Sequence, residues 1–565
     1  MNARTIPIVA VPEQRRRKRS APKGRVLDPA ALVEVKQLLG DGLGARALLI
    51  EHLHKLQDHF GHLSARHLAA LAHAMGLAQT EVYEVATFYH HFDVVKEGDV
   101  APPGLTVRVC DGLSCEMAGA RQLLDKLPAL LGSEVRVIAA PCIGRCEQAP
   151  AVAVGQHPIG QATVAAVRAA VQQGQTTHRP EDFIDLDAYK EEGGYALLKT
   201  CIAGEIEVDE VITALEHSGL RGLGGAGFPA GRKWRIVRNE PAPRLMAVNI
   251  DEGEPGTFKD RVYLERDPHR FIEGMLIAAW AVGIGRIYVY LRDEYHGCRA
   301  MLEAELARLR ERPPWPGMPE IELRRGAGAY ICGEESAMIE SIEGKRGMPR
   351  LRPPYVAQVG LFGRPTLEHN FETLYWVREI LEKGGAWFAS HGRNGRKGLR
   401  SFSVSGRVKE PGVKLAPAGI TMRELIAEHC GGMAEGHDFY AYLPGGASGG
   451  ILPASMGDIP LDFDTLQPYG CFIGSAAVMV LSQHDSAVGA ARNLMRFFEH
   501  ESCGQCTPCR NGTAKAAALI AQPKWDLELL ADLSQVMRDA SICGLGQAAP
   551  NPVDCVVKYF PGELA

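Results

Sequence analysis

The sequence predicts a multidomain protein that combines α/β and α+β domains, with mainly helical segments at both ends. The chain has 565 residues. This is more than one hydrophobic core usually supports, so roughly three to five domains are expected. Between about residues 191 and 400, strand-like and helix-like apolar stretches alternate, which is typical of a layered α/β domain. Helical periodicity instead dominates residues 28–100 and 486–565, so these regions are expected to form separate units.

The composition is that of an ordinary globular protein. Hydrophobic residues make up 46% and charged residues 23% of the chain, and the net charge is −5. This charge disfavours bulk binding to nucleic acid or to an anionic membrane. No run of about 18 apolar residues is present, so no membrane span is expected. Glycine is abundant, with 62 residues, which indicates many tight turns or backbone that approaches ligands closely.

Residues 1–27 are predicted to be a disordered tail with a basic stretch over residues 15–19. An export signal is disfavoured because no apolar segment follows the basic residues. They could alternatively form an arm that docks an acidic partner. A cytoplasmic location is therefore expected, in which cysteines stay reduced and grouped cysteines favour metal binding over disulfides.

Residues 28–100 are predicted to be a helical domain. Apolar residues recur at helical spacing over residues 48–60, and Ser64 precedes a second apolar run, as a helix N-cap would. A third segment, over residues 81–92, carries a stripe of aromatic side chains. We expect this stripe to belong to the core rather than to a cofactor site.

Residues 104–172 are predicted to be a small α/β domain. Its expected strands are residues 105–109, 135–138 and 151–154, and its expected helices are residues 118–130 and 162–172. Two pairs of cysteines are predicted to lie in loops after the strands. A polar linker over residues 173–190 is then expected to lead to the α/β domain of residues 191–400. Residues 401–485 should form a small α+β module with a helix over 421–429, before the helical region of residues 486–565.

The first cysteine set is Cys110, Cys115, Cys142 and Cys146, spaced as C-x4-C and C-x3-C. Four thiolates suit either a structural zinc ion or an iron–sulfur cluster. The spacing in strand-to-helix loops, with Gly112 among the loop glycines, favours a [2Fe–2S] cluster, and zinc or free thiols remain the alternatives.

The second cysteine set is Cys503, Cys506 and Cys509, with Cys543 as the fourth ligand. Three cysteines separated by two residues each, with glycine and proline between them, predict a [4Fe–4S] cluster. The other six cysteines are expected to be buried apolar residues; they are Cys201, Cys298, Cys332, Cys430, Cys471 and Cys555.

A glycine-rich segment, Gly222–Gly227, fits the pattern G-x-G-x-x-G. It follows the helix-like run of residues 208–218 instead of a strand, so a standard dinucleotide-binding turn is not expected. On its own it could be a loop without a special role. The adjacent Phe228 and Lys233 favour a ligand, because bare backbone with a cation and an aromatic ring can hold a phosphate and stack on a ring.

An acidic block follows the expected strand of residues 245–250. Asn and Asp side chains of this block can recognise the polar edge of a flavin ring, and Glu can bind sugar hydroxyls or an amide. A second glycine- and acid-rich segment comes at residues 326–336. Beyond it, Arg352 and Tyr355 offer a cation and a ring for an adenine, and Asn370 opens a helix that could receive a phosphate.

With these motifs in place, the chain resembles the flavin-bearing NADH-oxidising module of respiratory complex I and its relatives. The resemblance covers about residues 30–565. It is carried by the sequences GGAGFPAGRKW, NIDEGEPGTFKDR, GAYICGEES, HNFET and ESCGQCTPCR. Residues 30–175 resemble the 24 kDa-type subunit, with a helical bundle and a thioredoxin-like [2Fe–2S] domain. Residues 190–565 resemble the 51 kDa-type subunit, which implies a Rossmann-like FMN/NADH domain, a ubiquitin-like β-grasp domain and a four-helix bundle with a [4Fe–4S] cluster.

The resemblance also implies roles for individual residues. The implied FMN contacts are Gly222, Gly225, Gly227, Lys233, Asn249, Asp251, Glu252, Gly333, Glu334 and Asn370. The implied NADH-positioning residues are Phe228, Glu254, Glu335, Arg352 and Tyr355. The family usually has Lys-Pro-Pro-Phe where this chain has Arg352-Pro-Pro-Tyr355, and NVET where it has NFET. No catalytic side chain is implied, because the flavin N5 exchanges the hydride.

The two subunit types are separate chains in complex I and are fused here. Fused forms resemble the β subunit of molybdenum- or tungsten-dependent NAD-linked formate dehydrogenases and the diaphorase subunit of NAD-reducing hydrogenases. The intact first cysteine set favours formate dehydrogenase, with a larger molybdopterin- and Fe–S-containing α subunit as partner. A hydrogenase, complex I, or a relay subunit that has lost its flavin are the alternatives. NAD(H) is expected over NADP(H), because Glu254 and Glu335 would repel a 2′-phosphate.

Overall fold

The computed structural model describes residues 24–40 and 43–564, so most of the predicted N-terminal tail lies outside the described residues. The first unit is helical, as expected. Ser64 caps its third helix by accepting a hydrogen bond from the His67 backbone N–H at 3.3 Å. Its elements are α1 Pro29–Leu39, α2 Leu49–Phe60, β1 Leu63–Ser64, α3 Ala65–Met75, α4 Gln79–Phe88 and β2 Val94–Val95. Tyr89 and Phe92 are buried in a hydrophobic core, as expected for the aromatic stripe, whereas Tyr83 of the same stripe is 38% exposed.

The second unit is a four-stranded sheet with strand order β4-β3-β5-β6 and helices beside it. Its elements are β3 Leu105–Cys110, α5 Leu113–Met117, α6 Ala120–Leu131, β4 Val135–Ala140, β5 Val152–Val154, β6 His157–Ile159 and α7 Val164–Gln172. Two predictions were wrong in detail. Cys110 is the last residue of a strand, and Cys115 lies in the short helix α5 rather than in a loop. Gly119, with φ of +95°, separates α5 from α6, which the apolar pattern alone did not show.

Helix α8, Leu186–Glu191, occupies the end of the segment predicted to be a linker. Asp185 caps this helix, and Leu186 and Tyr189 are buried, so a short amphipathic turn overrides the polar composition. Two further helices follow, α9 Ala196–Ile202 and α10 Val208–Ser218.

A parallel four-stranded sheet forms the centre of the next unit, with strand order β10-β7-β8-β9. Residue Asn370 at the end of β10 pairs with Asn249 near the end of β7. The loops that follow these two strands therefore meet at one edge of the sheet, where α/β domains bind ligands. The elements are α11 Ala230–Arg238, β7 Arg244–Ile250, α12 Lys259–Arg266, α13 Pro268–Val282, β8 Ile284–Leu291, α14 His296–Glu311, β9 Glu320–Arg325, α15 Glu335–Ile342, β10 Thr366–Asn370, α16 Phe371–Tyr375, α17 Val377–Lys383 and α18 Gly385–Ala389.

The remaining chain forms a five-stranded mixed sheet and a group of helices. The sheet has strand order β12-β11-β15-β13-β14, and the predicted helix over residues 421–429 is α19 Met422–Glu424 followed by a π-helical turn, Leu425–His429. The strands are β11 Leu399–Gly406, β12 Gly412–Pro417, β13 Phe439–Leu443, β14 Leu452–Pro453 and β15 Ala477–Ser482. The helices are α20 Ala487–Glu501, α21 Thr507–Ile520, α22 Leu527–Ala540, α23 Gly544–Ala548 and α24 Asn551–Tyr559.

The architecture therefore confirms the predicted combination of helical, α/β and α+β units. Among the helices of the described residues, none combines the length and apolar character needed to cross a membrane.

Candidate functional site

The glycine-rich segment forms a tight loop between α10 and α11, so it does not follow a strand. The Gly222 N–H donates to the Phe228 carbonyl at 2.8 Å, and the Gly227 N–H donates to the Gly222 carbonyl at 3.2 Å. A Cβ at position 224 would lie 2.9 Å from Cβ of Asn370, so this glycine allows the loop to approach the end of β10. Gly225 has φ of +127°, a conformation that favours glycine. The loop thus presents bare backbone to the edge of the central sheet.

Two polar side chains after β7 have contrasting environments. Asn249 donates from Nδ2 to the Gly333 carbonyl at 2.9 Å, and its Oδ1 accepts from the Asp251 N–H at 2.9 Å. The Asp251 carboxylate has a buried oxygen, Oδ2, with no hydrogen-bond partner among the described residues. Burial raises the pKa of Asp251 well above its usual value. An N–H donor of a bound flavin would satisfy this oxygen, so Asp251 fits the predicted FMN contact.

Glu252 is engaged by the protein instead of facing open space. Its carboxylate accepts from the backbone N–H groups of Asp260 at 2.8 Å and Arg261 at 3.1 Å, and from the Tyr295 hydroxyl at 2.7 Å. Burial raises its pKa to about 7. The side chain therefore acts as an anchor for the start of α12, and its contact with FMN stays a prediction.

Lys233, Glu334 and Asn370 lie around the same edge. The Asn370 Nδ2 donates to Asp260 Oδ2 at 2.7 Å, and its Oδ1 caps α16 by accepting from the Glu372 N–H at 3.0 Å. Lys233 Nζ donates to the carbonyl of Glu368 at 3.0 Å. Glu334 caps α15 by accepting from the backbone N–H groups of the next turn. These hydrogen bonds fix the start of α15 and of α16 at the edge of the central sheet.

Glu254 is held at the junction of the α/β domain and the five-stranded sheet unit. Its Oε1 accepts from the Ser448 N–H at 2.9 Å and from the Ser448 hydroxyl, and its Oε2 accepts from the Tyr330 hydroxyl at 3.2 Å. Burial raises the pKa of Glu254. The sequence motifs did not indicate Ser448, because it lies on a loop of the five-stranded sheet that only the fold brings to this position.

The other predicted NADH-positioning residues are more open to solvent. Phe228 is 38% exposed and Tyr355 is 57% exposed, so both rings are available for stacking. Arg352 pairs with Glu335 at 2.9 Å and also contacts Glu334. The positive charge of Arg352 partly compensates the negative charge of Glu335. This ion pair weakens the predicted repulsion between Glu335 and a 2′-phosphate.

The first cysteine set is brought together and buried. Cys110, Cys115, Cys142 and Cys146 are each at most 5% exposed, and the Sγ atoms of Cys142 and Cys146 lie 3.3 Å apart. Contacts with the thiols of Cys115 and Cys142 raise the pKa of Cys110 well above its usual value. Four thiols in mutual contact, shielded from water, fit a [2Fe–2S] cluster.

The Cys142–Cys146 loop depends on one glycine. Gly144 has φ of +72°, and a Cβ there would lie 2.3 Å from the Tyr295 hydroxyl oxygen. We expect Gly144→Ala to lower the [2Fe–2S] content of the purified protein, measured as bound iron and by EPR. Gly174→Ala is the matched control, since Gly174 has φ of +65° and no atom lies within 4 Å of the position that an added Cβ would take. Equal [2Fe–2S] content in both variants would contradict the expected role of Gly144.

The second cysteine set lines one cavity. Cys506 precedes α21, Cys543 precedes α23, and both face a cavity that is also lined by Ile331. Burial raises the pKa of Cys509 to about 11 and that of Cys543 to about 12. Such thiols ionise readily only when a metal binds, so the set fits a [4Fe–4S] cluster. The six remaining cysteines are buried, as expected.

Family models match four parts of the chain. A Nuo51 FMN-binding domain matches residues 215–379, and a thioredoxin-like [2Fe-2S] ferredoxin matches residues 35–175. An SLBB domain matches residues 401–452, and the NADH-ubiquinone oxidoreductase-F iron-sulfur binding region matches residues 489–565. The chain therefore carries FMN-binding, [2Fe–2S] and [4Fe–4S] domains.

Similar proteins share most of this organisation. The second F-type subunit of the NADH-quinone oxidoreductase of Rhizobium meliloti (strain 1021) is 41% identical over 394 residues, which span 67% of this chain and 93% of that protein. The mitochondrial NADH dehydrogenase [ubiquinone] flavoprotein 1 of Dictyostelium discoideum is also 41% identical, over 63% of this chain and 78% of that protein. A chain of an NAD+-reducing [NiFe]-hydrogenase in the H2-reduced state is 33% identical with a TM-score of 0.81, covering 92% of both chains. The chain belongs to the family of F-type NADH-quinone oxidoreductase subunits and is an NADH-linked flavin and iron–sulfur oxidoreductase subunit with a thioredoxin-like [2Fe–2S] domain fused before it.

Proposed function

We propose that this chain passes electrons between NAD(H) and the catalytic subunit of a larger enzyme. The observation that carries the proposal is the short segment Tyr330–Ile331. The Tyr330 hydroxyl donates to Glu254, and Ile331 lines the cavity of the second cysteine set. Adjacent residues therefore touch the proposed NADH site and the proposed [4Fe–4S] site, which leaves a short distance for electrons to cross.

The protein residues bind and orient, and they do not need to transfer a proton. When bound, FMN supplies the exchange between a hydride and single electrons. The glycine loop and Asp251 would hold the flavin, and Phe228 and Glu254 would align the nicotinamide, since hydride transfer depends on proximity and alignment. The second cysteine set would hold the next electron carrier. A non-enzymatic relay is disfavoured because the glycine loop and the unpartnered Asp251 oxygen are both retained.

Glu254 gives a direct test of the NADH site. We expect Glu254→Ala to weaken NADH binding, because it removes a carboxylate that Ser448 and Tyr330 hold in place. Loss of one charged hydrogen bond corresponds to about 1.5–3 kcal/mol, or roughly a 10- to 150-fold rise in the Michaelis constant for NADH. FMN content should not change, and Glu435→Ala is the surface control. An unchanged Michaelis constant would remove Glu254 from the NADH site.

For the partner, we propose an NAD-dependent formate dehydrogenase with a molybdopterin-containing α subunit that carries molybdenum or tungsten. The first cysteine set supports this proposal because it is intact and buried as a group. Formate oxidation would then reduce NAD+ through the clusters and the flavin. We also propose a cytoplasmic location, because the fourteen free thiols of the chain would stay reduced there.

A hydrogenase is the second candidate, because the NAD+-reducing [NiFe]-hydrogenase chain covers 92% of this chain and 92% of its own length. Purification of the native complex distinguishes the two candidates. NAD+ reduction by formate, with molybdenum or tungsten in the complex, would support formate dehydrogenase. NAD+ reduction by hydrogen, with nickel present, would support a hydrogenase, and quinone reduction by NADH without either metal would support complex I.

A further inference from the structure

The Cys142–Cys146 loop is held from outside its own unit by two buried arginines. Arg292, which follows β8, is 4% exposed, and its Nη2 donates to the Cys142 carbonyl at 2.7 Å. Arg261, on α12, is 2% exposed, and its Nε donates to the Gly144 carbonyl at 2.9 Å. Two guanidinium groups of the FMN-binding domain therefore lie against the backbone of the first cysteine set.

The same arginines contact the loop after β7. Arg292 Nη1 donates to the main-chain carbonyl of Glu252, and the Arg261 backbone N–H donates to the Glu252 carboxylate at 3.1 Å. The guanidinium of Arg292 thus bridges the loop that follows Asp251 and the loop that contains Cys142. It links the proposed flavin and [2Fe–2S] sites through two direct hydrogen bonds.

The two cations differ in how far their charge is compensated. Arg261 contacts two carboxylates, those of Glu147 and Glu265. Arg292 pairs with Glu294 at 3.1 Å, and the Glu294 side chain is 27% exposed. The Glu265 side chain is 23% exposed, so the number of paired carboxylates, two for Arg261 and one for Arg292, is what distinguishes the two cations. Arg292 therefore retains more positive potential at the cysteine loop than Arg261 does.

We propose that Arg292 is a positioning residue that raises the reduction potential of the [2Fe–2S] cluster held by the first cysteine set. The inference rests on the proposed function, which assigns the cluster to these cysteines. A cluster held by these four thiolates would be anionic, and one electron supplied by a reduced flavin would make its charge more negative by one. No bond forms or breaks in this step. A buried cation beside the ligand loop stabilises the added charge, since net charge and hydrogen bonding set cluster potentials.

Redox-poised EPR on the full chain, purified without air, tests the proposal. Arg292→Gln removes the charge and keeps a donor, and Arg292→Lys keeps the charge. Arg286→Gln, on the strand β8 that precedes Arg292, is the control. At the wild-type midpoint, the ratio of reduced to oxidised [2Fe–2S] should fall at least tenfold in R292Q, a shift of about 59 mV for one electron. The shift should be smaller in R292K and absent in R286Q, and the [4Fe–4S] midpoint should not change.

Glu294→Gln gives a prediction of opposite sign. Removing this carboxylate leaves Arg292 with less compensation, so the [2Fe–2S] midpoint should move to a higher potential. A purely structural role of Arg292 would not produce opposite shifts in the two variants. If R292Q loses the cluster, E294Q and R292K still decide the question. A wild-type midpoint in R292Q, or a lower midpoint in E294Q, would overturn the proposal. Absence of any [2Fe–2S] signal from the wild-type chain would instead contradict the cluster assignment in the proposed function.

Discussion

Cys506→Ala is expected to abolish the [4Fe–4S] EPR signal and electron transfer from NADH to the partner subunit. Cys506 precedes α21 and is one of four thiols that line a single cavity. Three remaining thiolates leave one iron of the cluster without its ligand, because such clusters are typically held by four cysteines. NADH should still bleach the flavin absorbance, since the glycine loop and Asp251 lie on different elements from Cys506.

Cys430→Ala is the matched control for this substitution. Cys430 is a buried cysteine of the five-stranded sheet unit and belongs to neither set. We expect it to retain both cluster signals. A [4Fe–4S] signal of wild-type intensity in C506A would show that Cys506 is not a ligand. Loss of flavin bleaching in C506A would show that the flavin site and the cluster site cannot be separated.

Asp251→Ala is expected to have opposite effects on the two forms of the protein. In the FMN-free form it removes a buried carboxylate oxygen without a partner among the described residues, which should raise stability by about 1–3 kcal/mol. In the FMN-bound form it removes the acceptor for a flavin N–H. Loss of a charged hydrogen bond of about 1.5–3 kcal/mol corresponds to roughly a 10- to 150-fold higher Kd for FMN.

The pH dependence of the FMN-free form adds a second test of Asp251. Burial raises the pKa of this group above its ordinary value of 3.8 in the folded state. The folded state therefore binds the proton more tightly than the unfolded state, and stability falls as pH rises from 3.8 toward the folded-state pKa. Asp251→Ala should remove this contribution, while Asp438→Ala on the surface should not. Thermal unfolding of FMN-free protein across pH, with FMN titration at neutral pH, measures both effects. Lower stability of FMN-free D251A, or an unchanged Kd for FMN, would contradict the role of Asp251.

Several features followed directly from local sequence patterns. The two cysteine sets could be predicted because ligand spacing is a local property, and the structure brings the members of each set together. The helix after Ser64 was also predicted correctly, since caps and periodicity act over a few residues. The same holds for the glycine loop, which follows a helix and lies between α10 and α11, where a standard dinucleotide turn would follow a strand.

Other features depended on contacts between residues far apart in the chain. Glu252 was predicted to contact FMN, because an acidic residue in a glycine-rich loop looks available for a ligand. The structure shows in addition that its carboxylate binds the start of α12 and Tyr295, which the local sequence could not indicate because these contacts depend on how α12 packs. Ser448 and Arg292 gave no local signal at all. The fold brings Ser448 into hydrogen-bond contact with Glu254. It also brings Arg292 to the carbonyl of Cys142.

The amino-acid sequence was therefore sufficient for the class of chemistry, since ligand spacing, glycine loops and acidic blocks are properties of short segments. The tertiary structure was needed to show how these segments are coupled. It brings the proposed NADH site and the proposed [4Fe–4S] site to adjacent residues of one loop, and it joins the proposed flavin and [2Fe–2S] sites through one buried guanidinium. Both couplings arise from long-range packing, in which charge and hydrogen bonding act through space rather than along the chain.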